Sequence, residues 1–519
     1  MQTVRIVLSP EEAADAVAQR RALDLEAGRS TAAGPVRLVQ QAIDARSRKG
    51  VRILQTWQVY DPDEEVPVER PFSYQDVHAA EPVLVVGSGP AGLFAALRLI
   101  ERGLRPIVVE RGKPVGERKK DIALLSRGQG LNPESNYCFG EGGAGTFSDG
   151  KLYTRSNKRG DISRILARFR YHGADASIGY ESHPHIGSDK LPDIVRSMTR
   201  TIRDCGGSVL YATRVASLWL EGDTVRGVKT DAYGDIAARC VVWAAGQSAS
   251  DMYETLYRQG VRLECIPFAM GVRVEHPQDL IDEIQYHGDP QQAFLPAASY
   301  ALTAQVAGRG VHSFCMCPGG YMVASSSDES GQVVNGMSSS RRHTPFANSG
   351  IVVEVRPEDL AAFASDGPLA GLHYRQSLER LALLNGGGRQ TAPAQRIDDF
   401  VHHRLSSSLP LSSYVPGLIV SPLHFWLPET LTACLTEGFR LFDRKMHGFL
   451  THEALLTGME SRSSSPVRLP RDPVTLEHVQ LHGLFPCGEG SGYAGGITSS
   501  AMDGEAVANR IADRMAGIF

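Results

Sequence analysis

The chain has 519 residues, 42% of them hydrophobic and 22% charged, a length for two or three domains and a composition typical of soluble globular proteins. Its net charge of −4 argues against nucleic acid or an anionic membrane surface as partner. Eight cysteines form no CxxC pair, and the close pair Cys315 and Cys317 lacks a second Cys or His pair for zinc, so we expect reduced thiols, no metal and a cytoplasmic protein.

The first residues have no basic start followed by an apolar core, and no signal peptide is expected. Residues 4–8 alternate like a strand, and Pro10-Glu11-Glu12 opens a helix. A second helix is expected over 37–46, leading into a strand at 51–59. This gives a small α+β unit within 1–75, whose first 60 residues or so could serve a protein partner. The acidic, proline-bearing run from Asp61 to Pro82 reads as a linker.

Residues 83–86 form an apolar strand, 91–102 have helical periodicity, and 106–110 form a second strand. This is the opening of a doubly wound sheet. The stretch 83–100 is apolar enough to suggest a membrane span. Gly87, Gly89, Pro90 and Gly92 interrupt it, so a strand, turn and helix are expected and no span. Further strands are expected at 208–210, 215–220, 225–231 and 235–238, with a hairpin turn at Tyr233-Gly234-Asp235. A strand at 240–243 runs into Ala244-Ala245-Gly246. The middle, about 270–455, should hold a separate sheet with helices. The end returns to the opening pattern: a strand at 484–487, a glycine-rich turn, and a helix over 497–515.

Gly87-Ser88-Gly89-Pro90-Ala91-Gly92 is a GxGxxG between strand and helix. Gly87 permits the tight turn, Gly89 lets the backbone approach a pyrophosphate, and Gly92 lets helix and strand pack closely. The helix N-terminus offers free N–H groups to the phosphates. Glu110, about twenty residues on, ends the second strand where a carboxylate can accept from ribose hydroxyls. By itself the fingerprint allows FAD or NAD(P). A second GxGxxG is absent, and Gly386-Gly387-Gly388 reads as a helix C-cap turn. A nicotinamide donor, NAD(P)H, would therefore visit the substrate side transiently.

Ala244-Ala245-Gly246 resembles the short motif closing the first part of a glutathione-reductase-like FAD fold. Gly488-Glu489 resembles that fold's terminal flavin motif, with Glu489 where Asp is usual. Longer runs point the same way: 139–152 (FGEGGAGTFSDGKL), Cys315-Met316-Cys317-Pro318-Gly319-Gly320, Ala392-Pro393-Ala394-Gln395-Arg396, 460–468 (ESRSSSPVR) and 486–497 (PCGEGSGYAGGI). Together they resemble the uncharacterised FAD-dependent dehydrogenases. The resemblance implies an α/β glutathione-reductase-like FAD-binding domain, 81–270 and 456–519, with an inserted α+β substrate domain, 271–455, and the small N-terminal unit. It implies no particular substrate. The FAD-binding residues expected are Gly87, Ser88, Gly89, Pro90, Ala91, Gly92, Glu110, Arg111, Gly143, Ser148, Val215, Ala245, Gly246, Gly488, Glu489, Gly495, Gly496 and Ile497. The helix after Gly488-Glu489 would point its N-terminus at the flavin's pyrimidine edge and stabilise the anionic reduced ring.

Five glycines fall within residues 140–150, too many for a stable helix or strand, and this loop is expected beside the flavin. Lys151 is a candidate near flavin N5 or a substrate acid; it reads equally as a salt-bridged loop lysine. Arg462 and Arg468 suit a substrate carboxylate or phosphate, or else hold domain contacts; Gln395 and Arg396 carry the same two readings. Cys138 and Cys487 flank flavin motifs, but these thiols, with Cys315 and Cys317, read first as small buried apolar groups. His183, His185, His343 and His424 are loop candidates for acid–base work, with structural roles the commoner case. The leading reading is an FAD-dependent dehydrogenase or reductase passing a hydride between flavin N5 and a small organic substrate. The alternatives are an FAD monooxygenase on the same fold, or an FAD-holding partner-binding protein. No Trp-x-Trp-x-Ile-Pro run supports a halogenase.

Overall fold

A computed structural model describes residues 1–31, 34–67, 72–154 and 160–518. Residues 68–71 of the expected linker lie outside the described residues.

Two sheets carry the architecture. The first is five-stranded and all parallel, in the order Leu484–Pro486, Val241–Trp243, Pro82–Val86, Arg105–Val109 and Ser208–Leu210. Its strands are short and apolar because both faces are covered. Val83, Leu84 and Val85 have no accessible surface. Helices Pro90–Glu101 and Ile497–Met515 pack together over it, and they meet so closely that a Cβ on Gly504 would lie 2.2 Å from the Ala91 carbonyl oxygen. The strand from the far C-terminus therefore completes a sheet begun at Pro82. A three-stranded antiparallel meander, Val215–Glu221, Thr224–Thr230 and Gly234–Ala237, flanks it.

The second sheet is seven-stranded and mixed, in the order Thr303–Val306, Arg309–Cys317, Phe346–Val355, Phe268–Pro277, Leu455–Glu460, Ala392–Arg396 and Leu418–Val420. Its long central strands pair antiparallel over ten positions, from Phe268 opposite Val355 to Pro277 opposite Phe346. Helices Ala370–Asn385 and Glu429–Lys445 belong to this part and bury Leu378, Leu435, Phe439 and Phe442. A buried ion pair crosses the sheet, with Arg273 Nε donating to Glu460 Oε2 at 2.8 Å. Arg273 also donates to Asn348 Oδ1 at 2.7 Å and Asn335 Oδ1 at 3.0 Å, which satisfies its fork.

The N-terminal unit is a three-stranded sheet, Gln2–Leu8, Arg52–Val59 and Val36–Asp44 in that order, covered by helices Pro10–Ala14 and Ala16–Ala27. The helix expected over 37–46 is instead the strand Val36–Asp44. Apolar residues at 36, 38, 39, 42 and 43 fit a helical stripe as well as a strand. Antiparallel pairing with Arg52–Val59, around a bulge between Leu38 and Gln40, decides between them. Ser9 caps the first helix in a capping box with Glu12, as Ser-x-x-Glu requires. Gly386, Gly387 and Gly388 do end the helix Ala370–Asn385. Among the described residues, no helix is long and apolar enough to cross a membrane.

Candidate functional site

The parallel strand Pro82–Val86 delivers the chain into Gly87, whose φ of +96° is accessible mainly to glycine. A Cβ there would also lie 2.4 Å from the Ala244 carbonyl oxygen. Gly89 caps the helix Pro90–Glu101, and Pro90 takes its first turn, where no N–H is needed. A Cβ on Gly92 would lie 2.0 Å from the Gly87 carbonyl oxygen, so this glycine sets the close packing of helix on turn. A Cβ on Gly89, by contrast, would touch only the Gly143 Cα, at 3.9 Å.

Glu110 is buried behind this turn. Its Oε2 accepts from the Ser88 backbone N–H at 3.0 Å and the Ser88 hydroxyl at 2.7 Å. Its Oε1 accepts from the N–H groups of Gly112 and Gly140, each at 2.9 Å. One carboxylate thus joins the phosphate turn, its own strand end and the glycine-rich loop.

That loop is wound around Arg118, which has no accessible surface. The guanidinium donates to the carbonyls of Asn136 at 2.8 Å, Tyr137 at 3.0 Å and Glu141 at 2.8 Å. Burial pushes its pKa down to about 10. The one-turn 3₁₀ segment Gly143–Gly145 then rests on the phosphate turn, and a Cβ on Gly143 would lie 2.9 Å from Gly89 Cα. Glycine at 143 allows that approach.

A cleft of about 420 Å³ opens over these elements. It is of ligand size. Of the eighteen expected FAD-binding residues, Gly87, Gly89, Pro90, Ala91, Glu110, Arg111, Gly143, Ser148, Val215, Ala245, Gly246, Gly488, Glu489, Gly495, Gly496 and Ile497 line it. Ser88 and Gly92 do not; they lie behind the turn, Ser88 on Glu110 and Gly92 under Gly87. Arg111 is committed to Glu134 at 2.9 Å and Asp251 at 3.0 Å while lying over the Phe139 ring.

At the far end, Gly488 donates its N–H to Asp503 Oδ2 at 2.8 Å, which ties the strand end to the helix Ile497–Met515. Gly246, Gly495 and Gly496 have nothing within 4 Å of where a Cβ would stand. Side chains there would enter the cleft. Glu489 Oε1 accepts from Gln247 Nε2 at 2.7 Å, and burial lifts its carboxyl to about 7. Gln247 also lines the cleft, although sequence reasoning had no signal for it beyond its position next to Gly246.

The other wall is closed by Phe314 and Cys315 of the seven-stranded sheet, by Ser325 and Asn335 at the two-stranded hairpin Tyr321–Ala324 and Val334–Met337, and by Arg462 just past Leu455–Glu460. Lys151 also lines the cleft, with its ammonium bonded to the Met316 carbonyl and 3.9 Å from Asp149. Asp149 is buried and paired with Arg342 at 3.1 Å and with the Ser338 hydroxyl, so its carboxyl stays below the ordinary range. Arg462 donates to Ser327 Oγ at 2.9 Å and Glu379 Oε2 at 3.3 Å, and its Nη1 lies 3.5 Å from Cys138 Sγ. Arg468, Gln395 and Arg396 do not line the cleft. Gln395 and Arg396 hold backbone carbonyls of residues 404 and 408, at 2.6 and 2.9 Å. None of His183, His185, His343 and His424 lines it either.

Two family models match the chain. One, described as "FAD-dependent protein, C-terminal domain-like", covers residues 267–463, and an "FAD binding domain" model covers 82–123. A protein of Clostridium beijerinckii, described only as an uncharacterized protein, is 39% identical over 496 residues, 92% of each chain. Among solved structures, a geranylgeranyl bacteriochlorophyll reductase-like protein from Thermoplasma acidophilum aligns over 85% of this chain and 80% of its own, at 14% identity and a TM-score of 0.35. A glycine oxidase from Bacillus cereus aligns over 84% and 97%, at 11% identity and a TM-score of 0.33. Likeness at this level carries nothing about the chemistry.

The parallel sheet with its glycine turn and the two matched models define an FAD-dependent protein. The chain belongs to an uncharacterised family of FAD-dependent proteins, together with the C. beijerinckii relative.

Proposed function

We propose that the protein passes a hydride between flavin N5 and a small organic substrate held against the seven-stranded sheet, on a glutathione-reductase-like layout with an inserted substrate domain. The observation that carries this is that one cleft is shared by both parts of the chain. The glycine turn and Glu110 line it together with Gly495–Ile497, with Phe314 and Cys315 of the second sheet, and with Asn335 and Arg462. When bound, the flavin supplies a two-electron carrier.

The chain's own residues would orient and tune it. The turn from Gly87 to Ala91 would offer backbone N–H groups to the pyrophosphate. Glu110 would accept from ribose hydroxyls, which would share oxygens that already accept four hydrogen bonds. Glu489 would face the ribityl chain, and the N-terminus of the helix Ile497–Met515 would favour negative charge on the pyrimidine. Lys151 and Arg462 are the candidates for holding a polar substrate group, since both are cations lining the cleft. A substrate carboxylate at Arg462 would compete with Glu379.

The test is anaerobic mixing of the yellow holoprotein with NADH, NADPH and candidate organic donors, each deuterated at the transferring carbon. Flavin bleaching that slows severalfold with deuterium is expected. Flavin that stays oxidised with every donor, or that reoxidises in air with a hydroxylated product, would overturn the dehydrogenase reading.

A further inference from the structure

We propose that Cys315 and Cys317 form a redox-active dithiol facing the flavin cleft, with Cys315 as the attacking sulfur and Cys317 as the resolving one. The proposal rests on the flavin occupying this cleft.

Four observations carry it. First, Cys315 lines the cleft, whereas Cys317 is fully buried beneath it. Second, the strand Arg309–Cys317 breaks its register with Phe346–Val355 between Phe314 and Cys317, and Cys315 sits in that irregularity with φ +46°. A bulge re-aims a side chain, and a non-glycine residue in the left-handed region is strained unless its surroundings hold it there. Third, the Cys317 side chain folds back on its partner: its Sγ donates to the Cys315 carbonyl oxygen at 3.3 Å. Fourth, the charges suit a thiolate: Lys151 is bonded to the intervening Met316 carbonyl, and Arg273 lies on the buried side. Asp149 and Glu460 oppose them, but Asp149 is paired with Arg342 and hydrogen-bonded to Ser338, and Glu460 is paired with Arg273. In agreement, the hydrogen bond from Cys317, followed by Lys151 and Arg273, brings Cys315 down to about 5 against the cost of burial, while Cys317 is raised.

The step balances with the flavin alone. The Cys315 thiolate and Cys317 thiol are oxidised as the S–S bond forms and the Cys317 S–H bond breaks. The electron pair and that proton go to the flavin, which is reduced. In reverse, reduced flavin returns both and the S–S bond opens. All eight cysteines are free thiols in the structure, which is the reduced form of this pair.

Two measurements test it. Holoprotein treated with a disulfide-forming oxidant, desalted and titrated anaerobically with dithionite should consume twice the electron equivalents per flavin of the Cys317→Ser variant. Peptide mapping should find residues 315 and 317 linked. In flavin-free protein at mildly acidic pH, iodoacetamide should modify Cys315 ahead of Cys138, Cys205 and Cys265. Cys317→Ala, which removes the donor, should slow that reaction severalfold as the Cys315 pKa rises past the working pH. Equal titration equivalents in wild type and variant, or Cys315 alkylated no faster than the others, would overturn the dithiol. A colourless protein whose Cys315 still alkylates first would instead overturn the flavin reading and leave the thiol pair standing.

Discussion

Gln247 Nε2 donates to Glu489 Oε1 at 2.7 Å, and the same nitrogen lies 2.7 Å from the Arg462 carbonyl oxygen. One amide therefore links the motif after the last parallel strand to the backbone of a cleft-lining arginine. Arg375, fully buried, approaches the Gln247 side-chain and backbone oxygens at 3.4 and 3.3 Å from the other side.

Glu489 should make stability depend on pH. Its carboxyl is at about 7 in the fold against an ordinary 4.5. A raised folded-state value means the stabilisation is fully present below about 4.5 and is lost as pH rises through about 7. The difference amounts to about 3 kcal/mol at most. In flavin-free protein, wild type should therefore lose several degrees of Tm across that window relative to Glu489→Gln. Parallel Tm profiles would show that the carboxyl is not held neutral.

Gly89→Val should abolish flavin binding while leaving the fold intact. The fold itself presents only the Gly143 Cα at contact distance, whereas the added methyls would stand where a pyrophosphate must approach. Absorbance of the purified variant gives occupancy, and Tm against flavin-free wild type gives folding. Full occupancy would contradict the site.

Arg273→Met should destabilise the protein by about 3–5 kcal/mol by leaving Glu460 buried and unpaired. The double variant Arg273→Met/Glu460→Leu should recover most of that loss, because the cost lies in the orphaned charge. Thermal unfolding of the two variants measures both effects. A double variant no more stable than the single one would show that packing, not charge, sets the cost.

Removal of residues 1–75 should leave flavin stoichiometry unchanged, because none of the described residues among them lines the cleft. The unit docks through the Val51 N–H on Asp289 at 2.7 Å, His287 on the Ala45 carbonyl at 3.0 Å, and a backbone bridge between Gln41 and residues 180–182. Turnover retained with a binding partner lost would make it an adaptor. Loss of flavin would show that the unit is needed to build the site.

The parallel sheet and its phosphate turn were legible because local chemistry dictates them. Strand, glycine turn and helix follow one another within residues 82–101, and the helix over 497–515 lies where its periodicity and preceding glycines put it. Val36–Asp44 was misread because its apolar spacing suits either period and only pairing with Arg52–Val59 decides. Ser88 is counted with the glycines of its turn by sequence, yet its hydroxyl points back to Glu110. Gln247 carries no motif, and the run 315–320 does not show which of its residues enters the cleft. Gln247 reaches it just past the strand Val241–Trp243, and Cys315 because a sheet spanning Phe268–Glu460 folds back over one begun at Pro82. Contacts between residues far apart in the chain leave no local period, so the amino-acid order determined the glycine turn and its helix, while the far wall of the cleft and its thiol pair were decided by how the two sheets pack.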